Sequence, residues 1–476
     1  MIKNVDINIF VKDLVNNKSD ISVRKLIKEG KTIYILYIPS ITNKDRLSTH
    51  VIKPILQYPY DNLTTDIIAH SIIYIDDVYI YEDENKILDY ILDGNSVILM
   101  CHENKYIVTN TLKVEKRSID KPEIQNAIKG PKDSFTESLE TNLSLIRHRV
   151  KDPNLKVDYT YIGKRTKTQV ATIYIDDVIN PKYVHECKSR LESIDIDGIL
   201  ESGYIQKLIS NKTISLFPET GICERPDKAC ASILNGKLCI IVDGSNLAIL
   251  LPQTFIDFLD SGDDHYDNLY LSLLIKFIRI LSFFISLSLS SFYVALVSFH
   301  PDFLPPSYIL ALAVARATVP VNALIEATLM EFVAELLKEA SLRLPKQIGP
   351  AIGIVGTIVI GQAAVSAGLV SPLMVIIISL STMTSFIVPD YTIMNPIRIL
   401  KFGLIFLTGA LGLFGFVIGI TFIIVNLVST SSFGVPYTSP IAPININDMK
   451  EFVFSDIRLN NHRPGFLKTK NKKRKK

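Results

Sequence analysis

The stretch Gln347–Pro389 reads QIGPAIGIVGTIVIGQAAVSAGLVSPLMVIIISLSTMTSFIVP and contains no charged residue. It is long enough to cross a bilayer twice, because about 20 apolar residues span the hydrocarbon core as a helix. Ser371-Pro372 in its middle favours a tight turn between two spans, Pro350–Val370 and Leu373–Pro389. This stretch therefore predicts an integral membrane protein with a helical membrane domain.

Composition divides the 476 residues into parts of different physical character. Only 12 of the 168 positions from 280 to 447 are charged, whereas the other 308 positions carry 87 charged residues. The net charge is −4 over 1–279, 0 over 280–447 and +7 over 448–476. This division excludes a purely cytosolic enzyme, a disordered chain and a simple nucleic-acid binder. The basic C-terminal tail is expected to lie in solvent near anionic lipid rather than on nucleic acid.

Two further stretches, Ile280–Phe299 and Phe402–Val428, are apolar enough to span, which gives four clear spans. Lys276 and Arg279 precede the first and favour a cytosolic position for that end. No apolar run of signal-peptide length occurs at the N-terminus, so the head that precedes the spans is expected to be cytosolic.

The segment 302–346 has two interpretations. Leu304–Val321 is short and rich in proline, and Asn322–Leu344 is amphipathic. A fifth span here would place Arg398 and Lys401 inside but the basic tail outside, whereas a re-entrant or interfacial element would do the reverse. Ten basic groups are hard to translocate, so we favour a cytosolic tail. The polar face of the amphipathic part is formed by Glu331, Glu335 and Glu339.

The first 268 residues predict a duplicated α/β head. The hexapeptide IYIDDV occurs at Ile73–Val78 and again at Ile173–Val178. A second pair of segments, Tyr90–Val108 and Ser232–Leu250, indicates in each case a helix that ends at a glycine and two strands joined by a turn. We therefore expect two related α/β subdomains.

A connecting region, Arg117–Lys156, lies between the predicted subdomains. Ser134 and Glu137 form an S-x-x-E capping box, which predicts that an amphipathic helix begins at Ser134. The basic residues at its C-terminal end, Arg147–Lys151, suit the helix dipole. The helix is either a simple connector or a subunit or membrane-surface contact through that basic end.

No pattern in the sequence indicates catalysis, a metal or a cofactor, so we expect no enzyme. Neighbouring residues on a strand point to opposite faces, so the pairs Asp76/Asp77 and Asp176/Asp177 are expected to close turns rather than bind an ion. The five cysteines form no CxxC motif and are expected to be buried, reduced thiols. The predicted domains are a first subdomain at 1–116, a connecting helix region at 117–156, a second subdomain at 157–268, a membrane domain at 269–430 and a basic tail at 431–476.

Candidate functional residues lie in the membrane domain. Val355, Val359, Gln362 and Ser366 follow one helical face, which is either an ordinary helix contact or a hydrophobic gate in an oligomeric pore. Ionisable residues at membrane depth are functional by default, which singles out Arg316 and Glu326. Small residues let helices approach closely in lipid, so we expect helix packing, within the chain or between copies, at Gly349, Gly353, Gly356, Gly361, Gly415 and Gly419.

Several long blocks occur in an order typical of one family. They are Gly130–Lys156, Glu224–Ser245, Ser290–Pro305, Glu326–Ile376 and Ser432–Pro443. On these blocks the chain resembles the A subunits of the GerA family of spore germinant receptors over nearly its full length. A relative within that family, the SpoVAF type, shares them all. Asp302 after His300-Pro301 and the lengthened basic tail depart from the pattern.

The resemblance implies a multi-pass protein of the spore inner membrane with a cytosolic head. It implies a homo-oligomer that works with a permease-like B subunit, which senses the nutrient, and a lipoprotein C subunit. It further implies a pathway that releases monovalent cations. A SpoVAF-like accessory channel and a non-conducting scaffold for the receptor complex are the alternatives.

Overall fold

The structure is a computed structural model that describes residues 11, 20–28, 30–60, 62–101, 103–113, 122, 125, 129–211, 216–342, 348–454 and 461–474. These residues form a head with two β-sheets and a body of helices. The head contains the charged N-terminal half and part of the tail, and the body contains the apolar stretches.

The first subdomain is built on a five-stranded antiparallel sheet. Alternate side chains of its strands face opposite sides, so Ile33 and Ile35 enter one hydrophobic core while Tyr34 and Leu36 enter another. Helix α1 (Ile87–Leu92) covers one side. The other side is covered by short helical segments at Lys44–Leu47, Ser48–Ile52, Lys53–Gln57, Thr65–Ile67 and Ile68–Ile72. The strands are β1 (Ser22–Lys28), β2 (Lys31–Tyr37), β3 (Val78–Tyr81), β4 (Asn95–Met100) and β5 (Tyr106–Asn110), in the order β1-β2-β4-β5-β3.

The second subdomain repeats this sheet, strand for strand. Its strands are β6 (Leu155–Ile162), β7 (Thr168–Ile175), β8 (Gly221–Cys223), β9 (Leu238–Val242) and β10 (Ala248–Leu251), in the order β6-β7-β9-β10-β8. Its helices are α2 (Leu139–Arg149), α3 (Pro181–Glu192), α4 (Ser202–Ile209) and α5 (Pro226–Leu234). Helices α2 and α5 cover one face of the sheet, and α3 and α4 cover the other. The predicted α/β head of two subdomains is confirmed.

Of the two sequence repeats that predicted the duplication, only one marks equivalent positions in the two subdomains. Gly94 and Gly236 follow equivalent helices with φ of +86° and +91°, so the left-handed helix ends predicted from the second pair are present. The repeated hexapeptide, by contrast, does not mark equivalent positions. Ile173–Ile175 ends β7, the second strand of its sheet, whereas Ile73–Ile75 lies between a helical segment and β3. Its β-branched residues suit any buried extended segment, so two copies of the same hexapeptide need not lie at the same place in the two sheets.

The connecting helix begins later than the capping-box pattern predicts. Ser138, not Ser134, is the N-cap of α2, and its hydroxyl accepts from the backbone N–H of Thr141. Ser134 is buried and precedes Phe135, whose N–H donates to the Glu224 carbonyl at 2.8 Å. Because its apolar face enters the core of the second subdomain, α2 is a part of that subdomain rather than a separate connector.

The basic end of α2 is neutralised inside the head. Arg147 is buried, donates to the Leu155 carbonyl at 2.7 Å and forms an ion pair with Asp20. Lys151 pairs with Asp93 of the first subdomain at 2.7 Å. These contacts join the two subdomains, which favours the connector interpretation of this end.

The body consists of six helices among the described residues. Two of them, α6 and α11, are long and apolar enough to cross a membrane by length and composition, and three shorter ones are apolar. The helices are α6 (Leu269–Ser298), α7 (Pro306–Arg316), α8 (Ala323–Leu342), α9 (Gly349–Ser366), α10 (Pro372–Ser385) and α11 (Tyr391–Ser429).

The helices run alternately away from the head and back. The end of the body remote from the head, here called the far end, contains Phe299, Gly368 and Gly412. Phe299 lies against Gly412, and Gly368 lies near the Thr318 carbonyl. Helix α6 reaches this end from the head, α8 returns, α9 leads out again and α10 returns to Asp390, which is 3.8 Å from Lys228 of the head. The segment 302–346 thus contains both a short apolar helix, α7, and a full-length helix, α8.

Helix α11 is folded in two, where the sequence predicts a single span over Phe402–Val428. Gly412 has φ +64° and ψ −143°, which is outside the helical region. Two contacts show the reversal: a Cβ on Gly419 would be 2.5 Å from Leu404 Cδ1, and one on Gly415 would be 2.1 Å from the Leu407 carbonyl oxygen. In a straight helix residues 404 and 419 would be about 22 Å apart. The halves 391–411 and 413–429 are therefore antiparallel, and both outer ends lie at the head.

The described part of the tail packs on the head rather than extending into solvent. Tyr437 is fully buried in an aromatic cluster with Phe217, Phe258 and Phe255. Further along, Lys470 donates its N–H to the Val178 carbonyl at 2.9 Å. The tail also contains β11 (Ser431–Ser432), β12 (Val435–Pro436) and α12 (Ile446–Val453). The fold in α11 places this tail at the same end of the body as the head.

Candidate functional site

One face of α9 is open on the single chain. Val355 and Val359 are 57% and 59% exposed, and Gln362 and Ser366 are exposed one and two turns further along. The Ser366 hydroxyl donates to the Gln362 carbonyl at 2.9 Å, so it is held by its own helix. The four residues predicted as a pore or gate therefore form a continuous strip of two valines, an amide and a hydroxyl.

The glycines of α9 lie against neighbouring helices instead. A Cβ on Gly361 would be 2.5 Å from Val375 Cγ1 of α10, and one on Gly356 would be 3.3 Å from Leu337 Cδ2 of α8. A Cβ on Gly353 would make an ordinary contact, 3.4 Å, with Ser341. Gly349 is the first residue of α9. Gly415 and Gly419 contact the other half of α11, so Gly353, Gly356, Gly361, Gly415 and Gly419 all pack within the chain.

Arg316 and Glu326 come together at the far end. Their Nη2 and Oε2 atoms are 3.6 Å apart, which links the end of α7 to the start of α8. Glu326 is buried, and its Oε1 accepts from both the N–H and the hydroxyl of Ser371 at 2.6 Å. Arg316 also lines a cavity of about 390 Å³ between α6 and α7. The two predicted residues thus form one polar contact that joins α7, α8 and α10.

A second charged cluster, separate from the candidate residues predicted from the sequence, lies deeper in the body. Glu331 of α8 is fully buried, and its Oε2 is 2.6 Å from the ammonium of Lys401 in α11. Its Oε1 accepts from the hydroxyls of Ser290 at 2.6 Å and Ser381 at 3.4 Å. Four helices therefore meet at this carboxylate. Removing one partner of such a buried pair leaves an uncompensated charge, which costs about 3–5 kcal/mol.

The cluster continues toward the head as a ladder of charges. Lys401 Nζ is 3.7 Å from Glu335 Oε2, and Arg398 pairs with Glu335 and, at 3.2 Å, with Glu339. The sequence contains the signal: carboxylates four residues apart lie on one face of α8, and two bases three residues apart lie on one face of α11. Without the fold of α11, nothing indicated that these faces meet.

The head meets the body through a separate set of ion pairs. The Arg279 guanidinium donates to both Asp264 oxygens, at 2.7 and 3.2 Å, and to the Leu259 carbonyl at 2.6 Å. Lys276 lies 3.0 Å from Asp260 and donates to the Phe452 carbonyl at 2.6 Å. The two bases before the first apolar stretch are thus buried against the head rather than exposed at its margin.

The ion pair of Asp260 and His265 in this junction shifts both pKa values. Burial alone would raise the pKa of Asp260, but hydrogen bonds and charge from His265 and Lys276 outweigh it and hold that pKa well below its usual range. Burial alone would lower the pKa of His265, but the Asp260 carboxylate 2.9 Å away outweighs it and raises that pKa. Both groups are therefore favoured in their charged forms.

The remaining candidate groups are structural. Asp176 and Asp177 lie in the turn after β7, and Asp176 pairs with Lys156 at 2.9 Å. All five cysteines are free thiols, and burial raises the pKa of Cys187 to about 12 and that of Cys223 to about 11. Within the described ranges no three His, Cys, Asp or Glu side chains are grouped as metal ligands.

Comparison with known proteins agrees with the resemblance of the sequence blocks. The sequence profile of the family described as "Bacillus/Clostridium GerA spore germination protein" matches residues 10–466. Spore germination protein KA of Bacillus subtilis is 37% identical over 446 residues, 92% of this chain and 82% of that protein. The uncharacterized membrane protein YfkQ of B. subtilis is 36% identical over 95% of this chain and 89% of its own length.

A solved structure is also similar in sequence. It is the crystal structure of the N-terminal domain of the A subunit of the Bacillus megaterium spore germinant receptor GerK3, with 28% identity and a TM-score of 0.39. The match covers 52% of this chain and 94% of that domain. On the profile match and the full-length relatives, the chain belongs to the GerA family of spore germination proteins.

Proposed function

We propose that the chain is the A subunit of a spore germinant receptor that assembles into a homo-oligomer and lines a pathway for monovalent cations. One observation carries the proposal: the strip of Val355, Val359, Gln362 and Ser366 is open to the surroundings of the single chain. Two valines followed by an amide and a hydroxyl on a helix surface suit a narrow pore that closes by dewetting.

The course of the body supports a membrane location for this strip. With α6, α8, α9 and α10 each crossing once and α11 crossing out and back, the head and tail lie on the same side. We assign that side to the cytosol, because the basic tail lies on it and Lys276 and Arg279 lie near the start of α6, next to the head. In an endospore former the membrane concerned is the spore inner membrane.

The proposed partners follow from family membership. A permease-like B subunit would sense the nutrient, and a lipoprotein C subunit would complete the receptor. Since the head and body are tied by the buried pairs of Lys276 and Arg279, a signal received by the head can be transmitted to α6. Opening would then involve movement of α9 relative to α8, on which Gly353 and Gly356 pack.

The test is cation flux through the purified full-length chain in liposomes. Val359→Ala should widen the pore at this position and raise the leak of potassium several-fold. Gln362→Leu should lower conduction. Ile360→Ala is the matched control, because Ile360 is exposed on α9 but lies off the strip. A closed oligomer that conducts nothing, with wild-type behaviour of both variants, would favour the scaffold. Conduction that does not change when purified B and C subunits are added to the same liposomes would favour the accessory channel.

A further inference from the structure

The surroundings of Glu331 are rich in oxygen atoms from three helices. The Ser290 hydroxyl of α6 and the Ser381 hydroxyl of α10 lie 2.6 and 3.4 Å from Glu331 Oε1. The Ser381 hydroxyl is also 3.3 Å from the Ser286 carbonyl oxygen. Carboxylate, hydroxyl and carbonyl oxygens are the ligands that hard cations prefer. All four groups are buried in the body.

A side chain supplies a positive charge at the other oxygen of this carboxylate, Oε2, while the hydroxyls contact Oε1. The Lys401 ammonium is a compact monovalent charge that satisfies itself on oxygens, and its Nζ lies 2.6 Å from Glu331 Oε2. Lys401 is 11 residues before Gly412 in sequence, so it lies about 16 Å from the far end of the body. That is near the middle of a bilayer, where ionisable groups mark functional sites more often than structural ones.

Lys401 has a second carboxylate within reach. Glu335, one turn along α8, is 3.7 Å from the same ammonium. Arg398 also has a second partner, since it contacts Glu339 at 3.2 Å as well as Glu335. If the bases move one step along the ladder, each gives up one carboxylate and keeps the other, and that step uncovers Glu331. Lys338, a buried lysine of α8, donates instead to the Ser385 hydroxyl at 3.2 Å.

We propose that Glu331, Ser290, Ser381 and the Ser286 carbonyl form a binding site for a monovalent metal cation, in which Lys401 is the resident competitor. When potassium or sodium enters, Lys401 moves to Glu335 and Arg398 moves toward Glu339. The site lies inside one subunit and is separate from the exposed strip of α9. It goes beyond the proposed function, because cation binding here requires neither conduction nor an oligomer.

The experiment removes the competing Lys401 ammonium and measures whether a metal cation then stabilises the chain. The full chain with Lys401→Met, in lipid nanodiscs, is unfolded by heat in potassium, sodium or N-methylglucamine chloride at equal ionic strength. We expect a saturable rise of at least about 3 °C in the melting midpoint in potassium or sodium relative to N-methylglucamine. Wild type should need at least tenfold more cation for the same rise, because Lys401 competes. Adding Ser381→Ala to Lys401→Met should weaken binding severalfold.

Two control variants make the result specific. Lys338→Met removes a buried lysine from the same helices and leaves Lys401 in place, so it should need as much cation as wild type. The double variant Glu331→Gln with Lys401→Met removes both charges and should fold with no cation dependence. Equal midpoints of the Lys401→Met chain in all three salts overturn the proposal. So does an unfolded Lys401→Met chain in every salt while the double variant folds, because the metal cation then fails to replace the ammonium.

Discussion

Helices α9 and α11 are both rich in glycine, yet the two use their glycines in different ways. In α11, Gly412 reverses the chain, and Gly415 and Gly419 let the second half lie against the first. In α9, Gly353, Gly356 and Gly361 face α8 and α10, while the opposite face is left open. The same small-residue signal thus lets one helix fold on itself and lets one face of the other pack on its neighbours.

The comparison separates glycines that must be glycines from those that need only be small. Where a Cβ would meet backbone atoms, no side-chain movement can make room for it. Where it would meet the end of a side chain, that side chain can move. A Cβ would meet backbone atoms at Gly415 of α11, whereas at Gly419 of α11 and at Gly356 and Gly361 of α9 it would meet side chains. Substitution at Gly415 should therefore cost more than substitution in α9.

The largest effect is expected from Gly415→Ala. Its Cβ would lie 2.1 Å from the Leu407 carbonyl oxygen, so the two halves of α11 would have to move apart. We expect a loss of about 3 kcal/mol in the free energy of unfolding. Gly403→Ala is the matched control, because Gly403 is in the same helix and has nothing within 4 Å of its Cβ position. Thermal or denaturant unfolding in detergent measures both, and the control should be neutral or slightly stabilised.

The reversal of the chain at Gly412 can also be tested directly. Cysteines placed at Leu404 and Gly419 should crosslink readily within one chain, since these positions meet across the two halves. In a straight helix they would be about 22 Å apart and could not crosslink within one chain. Absence of the crosslink, or a Gly415→Ala chain as stable as wild type, would show that α11 crosses as one straight helix.

A smaller effect is expected within α9. Gly361→Ala places a Cβ 2.5 Å from Val375 Cγ1, and a β-branched valine has few other rotamers. We expect a loss of about 1–2 kcal/mol in the free energy of unfolding. Gly353→Ala should cost nothing measurable, because its Cβ would make an ordinary contact with Ser341. Equal destabilisation by the two substitutions would mean that α9 does not pack on α8 and α10 in this way.

The sequence predicted what depends on local pattern. Composition separated the head from the body, and the two helix-glycine-hairpin segments predicted the equivalent parts of the two sheets. Helical spacing alone placed Val355, Val359, Gln362 and Ser366 on one face of α9 and its glycines on another, but did not indicate whether that first face is packed or open. The repeated hexapeptide misled because strand propensity does not specify which strand a segment becomes.

What the sequence did not predict depends on contacts between distant segments. Gly412 is one of several glycines in an uninterrupted apolar stretch. The number of charged residues does not distinguish one straight helix from two antiparallel halves. Once α11 is folded, both Arg398 and Lys401 and the basic tail lie toward the head, which removes the conflict between four and five spans. The Glu331–Lys401 pair was hidden for the same reason, since its partners are 70 residues apart.

The smallest effect is expected at the contact between the head and the start of α6. The folded chain raises the pKa of His265, so its contribution to stability is present below the unfolded value of about 6.5 and is lost as the pH rises through the folded value. Asp260 has the opposite sign, so its contribution is lost only in acid, as the pH falls through its lowered pKa. Raising the pH from 6 to 9 should therefore lower the melting midpoint of wild type slightly more than that of His265→Gln. Because His265 is partly exposed and screened, the difference should be below about 1 kcal/mol. Identical pH profiles would mean that Lys276 alone holds Asp260, and that the junction is insensitive to the protonation of His265.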